Sequence, residues 1–508
     1  MISLTRSGES SGPVGGNPHK ARVAILSPNV LGFTGGINRA QPGLGMMYLG
    51  AVLERRGHEV FLRDFAAEGY ERQVQIDERM LLIGESEEDI SAYLKDIRPD
   101  YVGISILFSN LASSAHTIAS LSKRAFPDVP VIIGGNHVNA KAEEMMAENP
   151  AVDFAMIREC DFTFADLIDR LQSGGGFRDV PGIVYREGGR IIRNRTTTMV
   201  SRMDDLPFPA RHLINMDKYF NIGKFHNPFS RHPRVANVMC SRGCPEHCTF
   251  CTTPTMWGSS IRWRSPQNVA DEIKLCIDAY GVGEIQFEDD TLTLNRKKLL
   301  ELCDLIEPLN IKWNTVNGIK VNYHSGDAEV QEHMFRRMAE AGCYQVCLAI
   351  ESGNQSLLDN LVQKNLDLAV VPQTITAAKK AGIQVHSFFM VGFPGETIED
   401  MEATVDYAMN LDLDSYSLSL YNPLPGTPLF DYARNNGFLV DDFREDRILY
   451  AKSNIKIPEF QPEQVERKVS EWNKRLNSKA LAQNPAGFEN HYGRFLREND
   501  VDIFQKNS

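Results

Sequence analysis

Short apolar runs alternate with amphipathic segments along most of the chain, in two series. The runs of the first series have the length of buried strands and end on small or polar residues. The segments between them, such as LGMMYLGAVLERRG, have the apolar spacing of helices. These runs are RVAILSPN (22–29), HEVFLRDF (58–65), YVGISILFS (101–109), VPVIIGGN (129–136) and VDFAMIRE (152–159). The alternation predicts a doubly wound α/β domain over residues 21–175, in which helices cover a parallel sheet.

The second series begins near residue 233 and contains six further strand-like runs. Helical segments such as SPQNVADEIKLCIDAYG and AVVPQTITAAKKAG separate them. The runs are RVANVMCS (234–241), EIQFEDD (284–290), IKWNTVNG (311–318), YQVCLAIESG (344–353), QVHSFFMVGF (384–393) and DSYSLSLYNP (414–423). Six units are fewer than the eight of a closed barrel. We therefore predict a partial (β/α)6 barrel over residues 233–440.

The remaining segments lie before, between and after the two series. Residues 1–20 are rich in Gly, Ser and Pro, which predicts a disordered arm. Residues 176–232 are expected to connect the domains through a hairpin, VPGIVYREGGRIIR, and a proline-stiffened crossing, DDLPFPARHL. Residues 441–508 are predicted to be mostly helical, with VERKVSEWNKRLNSKALAQ as the clearest helix.

Composition limits the partners and the compartment. The 54 basic and 66 acidic side chains give a net charge of -12, which does not favour binding to nucleic acid phosphates. No run of eighteen apolar residues offers a membrane span, and the N-terminus has no apolar core of the signal-peptide kind. We therefore expect a cytoplasmic protein. Its nine cysteines should be reduced thiols or metal ligands rather than disulfides.

Four of these cysteines lie in the stretch CSRGCPEHCTFC, residues 240–251. From Cys244 the spacing is C-x3-C-x2-C, through Cys248 and Cys251, in the loop after the first strand of the second series. Three thiolates at this spacing suit a 4Fe-4S cluster in which one iron stays open. The alternative is a zinc site with Cys240 as the fourth sulfur. By itself Cys240 is more simply read as a small apolar residue.

The loop CPEHCTFC after a first barrel strand resembles the cluster loop of the radical S-adenosylmethionine (SAM) enzymes. The resemblance implies that Cys244, Cys248 and Cys251 hold a 4Fe-4S cluster whose open iron is chelated by SAM. It also implies that the backbone of Phe250 lies along the adenine. The segments FEDDTLTLN, AIESGNQ and FMVGFPGET resemble later strand ends of the same superfamily.

These strand ends supply further candidates for contact with SAM. They are Glu351, Ser352 and Gly392, for which loop solvation, a helix cap or a plain tight turn are the alternatives. Asp289 and Asp290 are expected to be a solvated turn or a helix cap.

A doubly wound domain ahead of such a barrel, joined by a stretch like DDLPFPARHLINMDKY, resembles the cobalamin-binding radical SAM enzymes over residues 22–440. The segments IIGGNHVNA and IRECDFTFADLI resemble that family's fourth and fifth strand ends. The implied fold is a Rossmann-like cobalamin domain followed by the partial barrel and a helical tail. Because ligands of such sheets bind beyond the carboxyl ends of the strands, the expected cobalamin residues are Ser105, Ser109, Gly134, Gly135, Asn136 and His137.

Two features of the first domain stay open. No D-x-H-x-x-G occurs, so that motif supplies no histidine to cobalt. His137 could lie against the corrin or its tail, or could be hydrogen-bonded to backbone. A relic fold without a cofactor, or with another nucleotide, is the alternative for the domain as a whole.

The resemblance implies a methyltransferase that uses two SAM molecules per turnover and acts on an unactivated carbon, or a phosphinate phosphorus, of a small metabolite. The substrate would lie between the barrel mouth and the corrin, and flavodoxin or ferredoxin would supply electrons. The N-terminal run FAAEGYERQ…LIGESEEDI…VGISILFSN resembles the methyltransferases of fosfomycin biosynthesis, which implies a phosphonate or nucleotide-linked substrate. The rivals are an oxidative cyclase or ring-rearranging enzyme and a non-enzymatic cobalamin or redox sensor.

Three arginines flank the cysteine loop: Arg242, Arg262 and Arg264. They could hold a substrate phosphate. Salt bridges within the protein are the commoner role for such residues.

Overall fold

The computed structural model of the protein describes residues 20–34, 36–194, 199–458, 460–486 and 488–489. The predicted disordered arm, residues 1–20, lies outside these ranges except for Lys20, as does the chain from residue 490 onward.

The first half of the chain forms the predicted doubly wound α/β domain. Its strands are β1 (Arg22–Ser27), β2 (Val30–Phe33), β3 (Glu59–Asp64), β4 (Gln73–Gln75), β5 (Met80–Ile83), β6 (Tyr101–Ser105), β7 (Val131–Gly134), β8 (Phe154–Met156), β9 (Ile183–Glu187) and β10 (Arg190–Arg193). Its helices are α1 (Leu44–Arg55), α2 (Phe65–Glu68), α3 (Glu87–Ile97), α4 (Ala112–Ala125), α5 (Asn136–Glu148) and α6 (Asp161–Gln172). A seven-stranded sheet has the order β10-β9-β8-β7-β6-β1-β3, and the five strands from β8 to β3 are parallel.

Both faces of this sheet are buried, as the continuous apolar runs predict. Alternate residues of β1 point to opposite sides: Val23 and Ile25 enter one apolar core, and Ala24 and Leu26 enter the other. The strand order reverses between β1 and β6, which is where doubly wound sheets form a ligand crevice at the carboxyl ends of their strands.

Two parts of the first half were not predicted. The expected hairpin forms as the antiparallel pair β9-β10, but it joins the main sheet beside β8 instead of standing apart as a connector. A second sheet, β2-β5-β4, is built from strands of three or four residues. Such strands are too short for a reliable alternation signal.

The second half forms the predicted partial barrel. Its strands are β11 (Val235–Val238), β12 (Ser241–Arg242), β13 (Arg262–Trp263), β14 (Glu284–Phe287), β15 (Lys312–Ile319), β16 (Cys343–Glu351), β17 (Gln384–Val391) and β18 (Ser415–Leu420). The helices are α7 (Met216–Ile222), α8 (Thr253–Trp257), α9 (Pro266–Tyr280), α10 (Arg296–Ile306), α11 (Ala328–Glu340), α12 (Gln355–Leu357), α13 (Val371–Lys380), α14 (Ile398–Met409), α15 (Pro428–Asn435) and α16 (Pro462–Gln483). Six parallel strands follow the order β11-β14-β15-β16-β17-β18 without closing.

Helix α16 confirms the clearest helix predicted for the C-terminal region, and it covers the open edge of the barrel. Asn473 and Asn477 face β18 and accept from the backbone N–H groups of Leu418 (2.9 Å) and Tyr416 (3.2 Å). Side-chain amides thereby replace a missing neighbouring strand, which protects an edge that could otherwise pair with another chain. In the part of the chain that the structure describes, no helix is long and apolar enough to cross a membrane.

Candidate active site

The cysteine loop, residues 243–252, follows β11 and is fixed at its base by a buried carboxylate. Asp289, just after β14, accepts from the backbone N–H of Cys240 at 2.9 Å and from the Ser241 hydroxyl. Its neighbour Asp290 accepts from the Thr253 hydroxyl at 2.9 Å on the far side of the loop. Burial raises the pKa of both carboxyls to about 6. The expectation of a solvated turn was therefore wrong: this acid pair fastens both ends of the cysteine loop to the barrel.

The middle of the loop is anchored to three other segments. Thr249 donates from its backbone N–H to the carbonyl of Val362 at 2.9 Å, and its own carbonyl accepts from Leu429 N–H at 2.9 Å. The carboxylate of Glu246 accepts from the Tyr323 hydroxyl at 3.0 Å. A loop without regular structure is thus positioned by contacts to the helical and loop segments that follow the barrel strands.

Cys244, Cys248 and Cys251 share this loop and interact electrostatically with one another. All three side chains are partly exposed. Burial raises the pKa of Cys244 and Cys248 to about 11, so both are protonated at neutral pH until a metal displaces the protons. Among the described residues, no three His, Cys, Asp or Glu side chains already surround a single point where one metal ion would sit.

Cys240 does not complete this set. Its thiol is buried, and its electrostatic neighbours are Asp289, Arg264 and Glu272. The structure therefore gives no support to Cys240 as a fourth sulfur. It fits the alternative expectation of a small buried residue.

A buried ion pair adjoins the three cysteines. Lys364 Nζ lies 2.9 Å from Glu351 Oε1, and its ammonium also interacts with the thiols of Cys248 and Cys251. Burial alone would lower the pKa of Lys364, but these acidic neighbours outweigh it and the pKa is raised. Glu351 has a φ of 72°, and the register of β16 shifts between Ala349 and Glu351. Such strain in a non-glycine residue occurs most often at ligand sites.

The other predicted SAM residues lie at neighbouring strand ends. The Ser352 hydroxyl is fully buried, 3.0 Å from the Thr404 hydroxyl, and accepts from Asn354 N–H. Gly392 has a φ of 82°, and its N–H donates to Glu396 at 2.7 Å. Burial raises the pKa of Glu396 to about 8. Ser352 therefore supports the backbone. Gly392 adopts a left-handed conformation that favours glycine, and it places no side chain at the barrel mouth.

The first domain meets the cysteine loop directly. Asn136, at the end of β7, donates from its amide nitrogen to the Thr252 hydroxyl at 2.8 Å, one residue after Cys251. The guanidinium of Arg158 donates to the carbonyl of Thr255 at 3.1 Å. The carboxyl ends of the first sheet therefore face the mouth of the barrel, as expected for a site shared between the domains.

Two of the three flanking arginines join the domains, and the third is paired within the barrel. Arg242 forms a bidentate pair with Asp161 (2.7 and 3.1 Å) and also contacts Glu159 at 3.1 Å. Arg262 pairs with the same Glu159, and Arg264 pairs with Glu272. All three are bound to carboxylates within the protein, so the alternative of a phosphate-binding cluster is wrong.

The predicted cobalamin residues lie at and just beyond the carboxyl ends of β6 and β7. His137 Nδ1 lies 3.0 Å from the Ser109 hydroxyl, both are buried, and burial lowers the pKa of His137 to about 4. Between Ser105 and Ser109, the side chains of Leu107 and Phe108 are 42% and 54% exposed. Two large apolar side chains left open at the end of a central strand fit a flat, largely apolar ligand.

Gly134 and Gly135 lie at the turn from β7 into α5. Gly135 has a φ of 111°, and a Cβ there would lie 2.5 Å from the carbonyl oxygen of Ile106. The close turn between β7 and α5 therefore needs glycine at this position.

Comparison with known proteins agrees with this division of the chain. Residues 238–408 match the model of the radical SAM superfamily, and residues 37–168 match that of the B12 binding domain. The cytidylyl-2-hydroxyethylphosphonate methyltransferase of Streptomyces wedmorensis is 32% identical over 488 residues, 90% of each chain. An uncharacterised methyltransferase of Pyrococcus horikoshii is 31% identical over 82% of this chain and 84% of its own. The chain belongs to the radical SAM superfamily and carries a B12 binding domain.

A solved structure of this type shares the fold. The cobalamin-dependent SAM radical enzyme OxsB, with aqua-cobalamin and SAM bound, superposes with a TM-score of 0.68 at 16% identity, over 96% of this chain and 72% of its own. The radical SAM protein described here therefore uses a 4Fe-4S cluster, SAM and cobalamin. The donor set fits these groups: three thiols share one loop, and the first domain leaves Leu107 and Phe108 exposed after β6.

Sequence reasoning did not find Lys364 or Glu396, and it underrated Asp289. Lys364 follows Glu351 by thirteen residues and carries no motif that marks it. Glu396 lies within FMVGFPGET, so that segment could have indicated it.

Proposed function

We propose that this radical SAM protein is a cobalamin-dependent methyltransferase that transfers methyl to an unactivated carbon of a nucleotide-linked phosphonate. The observation that carries the proposal is similarity to the Streptomyces wedmorensis methyltransferase over 90% of both chains, which includes both domains and their connection. When bound, the cluster and SAM supply a carbon radical on the substrate, and cobalamin supplies the methyl group.

The protein's own residues would place and enclose the reactants. Cys244, Cys248 and Cys251 would hold the cluster, with Lys364 as a fixed positive charge beside it. Phe250, Glu351, Ser352 and Gly392 would form the SAM side of the barrel mouth. Ser105, Ser109, Gly134, Gly135, Asn136 and His137 would form the cobalamin side.

The contact between Asn136 and Thr252 supports placing the substrate between these two surfaces, because it fixes the first domain against the cysteine loop. Holding the reacting groups in this way lowers the entropic barrier, and closing the interface keeps water from reactive intermediates. We further propose an external one-electron donor, such as flavodoxin or ferredoxin, and a small-molecule substrate.

The test is an anaerobic assay with reconstituted cluster, cobalamin, SAM and a low-potential reductant. With cytidylyl-2-hydroxyethylphosphonate as substrate, we expect a product heavier by one CH2, and we expect none with the triple variant of Cys244, Cys248 and Cys251 to alanine. A product that has lost hydrogen without gaining carbon would assign the chain to cyclisation instead. Complete absence of product, with the cluster and cobalamin present, would refute this choice of substrate.

A further inference from the structure

Arg39 belongs to the first domain in sequence but lies against the barrel. It stands in the connection between β2 and α1. The next residue, Ala40, is part of the barrel's apolar core, and its N–H donates to the carbonyl of Lys224 at 2.7 Å. Two residues after Ala40, the carbonyl of Pro42 accepts from the amide of Asn237, on β11, at 2.8 Å. The segment is therefore fixed against β11, the first strand of the barrel.

The charged group of Arg39 is directed into the barrel lumen. It interacts electrostatically with Tyr450, with Cys347 on β16 and with His386 on β17. Cys347 and His386 are opposite each other in the strand register. Their neighbours along the strands, Val346, Leu348 and Val385, enter the apolar core. Because side chains alternate along a strand, Cys347 and His386 face the other way, into the lumen.

Arg39 is exposed to solvent, yet protein surrounds it closely enough to lower its pKa by desolvation. A guanidinium that projects into a water-accessible cavity inside the protein is both exposed to water and partly desolvated. An arginine remains charged in such a place. Its neighbour His386 is neutral, since burial and Arg39 lower the pKa of that imidazole to about 3, and it offers no negative charge.

Arg39 has no hydrogen-bonding or ionic partner among the residues that the structure describes. Four other arginines of the connector and the cysteine-loop region do have one: Arg211 and Arg264 share Glu272, Arg242 pairs with Asp161 and Glu159, and Arg262 pairs with Glu159. A partly desolvated guanidinium without a carboxylate is unfavourable by itself. Its five donors fit the oxygens of a phosphate, phosphonate or carboxylate in a two-pronged contact.

The depth of Arg39 in the lumen separates it from the expected SAM contacts. Cys347 precedes Glu351 by four residues of β16, which corresponds to roughly 13 Å along a strand. The predicted cobalamin residues lie at the ends of β6 and β7, in the other domain. An anion held by Arg39 would therefore lie deeper in the lumen than the expected SAM contacts and apart from the cobalamin residues.

We propose that Arg39 binds an anionic phosphonate or phosphate group of the substrate inside the barrel lumen, and so orients the substrate's reacting carbon toward the domain interface. This inference rests on the proposed function for the identity of the substrate. Arg39 is a binding residue that sets specificity for anionic substrates. Its position in the B12 binding domain also makes substrate binding in the barrel depend on correct docking of the two domains.

The first test measures binding to the holoprotein by equilibrium dialysis. The probes are cytidylyl-2-hydroxyethylphosphonate, methylphosphonate and inorganic phosphate. The proteins are wild type, Arg39→Gln, Arg39→Lys and the control Arg190→Gln, which changes an exposed arginine on β10. A charge-assisted hydrogen bond contributes about 1.5–3 kcal/mol, so we expect Arg39→Gln to raise the Kd for the cytidylyl phosphonate at least tenfold. Arg39→Lys should give a smaller rise, and the control should equal wild type.

The second test separates substrate binding from cofactor binding. We expect Arg39→Gln to raise KM at least tenfold with a smaller change in kcat, and to leave the Kd values for SAM and cobalamin within twofold of wild type. The proposal is overturned if Arg39→Gln binds the cytidylyl phosphonate within twofold of wild type, or if wild type binds none of the three anions. It is also overturned if the loss falls on cobalamin or SAM, since the phosphate of the one or the carboxylate of the other would then be the group held.

Failure of this inference and failure of the proposed function give different results. If wild type binds the cytidylyl phosphonate through Arg39 but forms no methylated product, the proposed function fails and the anion site stands. If a methylated product forms with an unchanged KM in Arg39→Gln, the function stands and the anion site fails.

Discussion

The ion pairs of Arg242 fasten the two domains together, and removing them should strongly destabilise the protein. Arg242 makes three contacts of 2.7–3.1 Å to Asp161 and Glu159, and its guanidinium lies 4.7 Å from the centre of the Trp257 ring. Its side chain is 3% exposed, and those of the two acids are 8% and 0% exposed. Arg242→Gln would leave Asp161 buried without its cation, while Glu159 would keep Arg262. Breaking such a buried pair costs about 3–5 kcal/mol.

The assay is urea unfolding of the cofactor-free protein at neutral pH. The shift in the unfolding midpoint, multiplied by a shared m-value, gives the change in the free energy of unfolding. The matched control is Arg178→Gln, because Arg178 pairs with Glu187 on the surface, with side chains 68% and 41% exposed. Surface pairs of this kind contribute about 0–1 kcal/mol. In addition, Arg242→Gln combined with Asp161→Asn should destabilise by less than the sum of the single changes, because the two residues are in contact. If Arg242→Gln lowers the free energy of unfolding by no more than the control does, the described interface is wrong.

Three further predictions concern the barrel mouth. Asp289→Ala removes the acceptor that holds Cys240 and Ser241, so the iron bound after anaerobic reconstitution should fall below half of the wild-type value. The control is Asp271→Ala, which changes an exposed acid, and full iron loading of Asp289→Ala would contradict the anchoring role. Because the pKa of Glu396 rises to about 8, the folded state binds more protons than the unfolded state between about pH 4.5 and 8. The free energy of unfolding should therefore fall as pH rises through this window, by up to about 1.4 kcal/mol per pH unit. Glu396→Gln should remove this part of the pH dependence, and equal slopes of Tm against pH for the two proteins would refute it. Lys364→Gln removes a buried positive charge beside Cys248 and Cys251, so the cluster's midpoint potential in an EPR redox titration should fall. The fall is about 59 mV for each tenfold change in the reduction equilibrium. An unchanged potential would show that the ammonium does not act on the cluster.

The main elements of the fold could be predicted because their signals are local. A run such as RVAILS or YQVCLAIE is long enough to show a buried strand, and both form strands in the structure. The order of strands and helices then restricts the topology to a doubly wound sheet and an open barrel. The cysteine spacing C-x3-C-x2-C is also local, since one loop carries all three residues.

The unpredicted features depend on contacts between distant residues. Asp289 follows a strand as many helix-capping acids do, and only its contact with Cys240, 49 positions away, shows that it anchors the cysteine loop. Asn473 lies in a polar helix with nothing in the sequence to indicate that it meets the barrel edge. Arg39 is separated from Cys347 by more than 300 positions, so no pattern along the chain connects them.

The central claim is that one chain joins radical formation at a three-cysteine cluster to methyl transfer across the domain interface. The most direct measurement is a stoichiometric one: the methylated product, 5'-deoxyadenosine and S-adenosylhomocysteine are quantified together in the anaerobic reaction with cytidylyl-2-hydroxyethylphosphonate. Two SAM molecules used per turnover predict one 5'-deoxyadenosine and one S-adenosylhomocysteine for each product gaining CH2. Product formed without 5'-deoxyadenosine, or formed equally well by protein lacking Cys244, Cys248 and Cys251, would contradict the account.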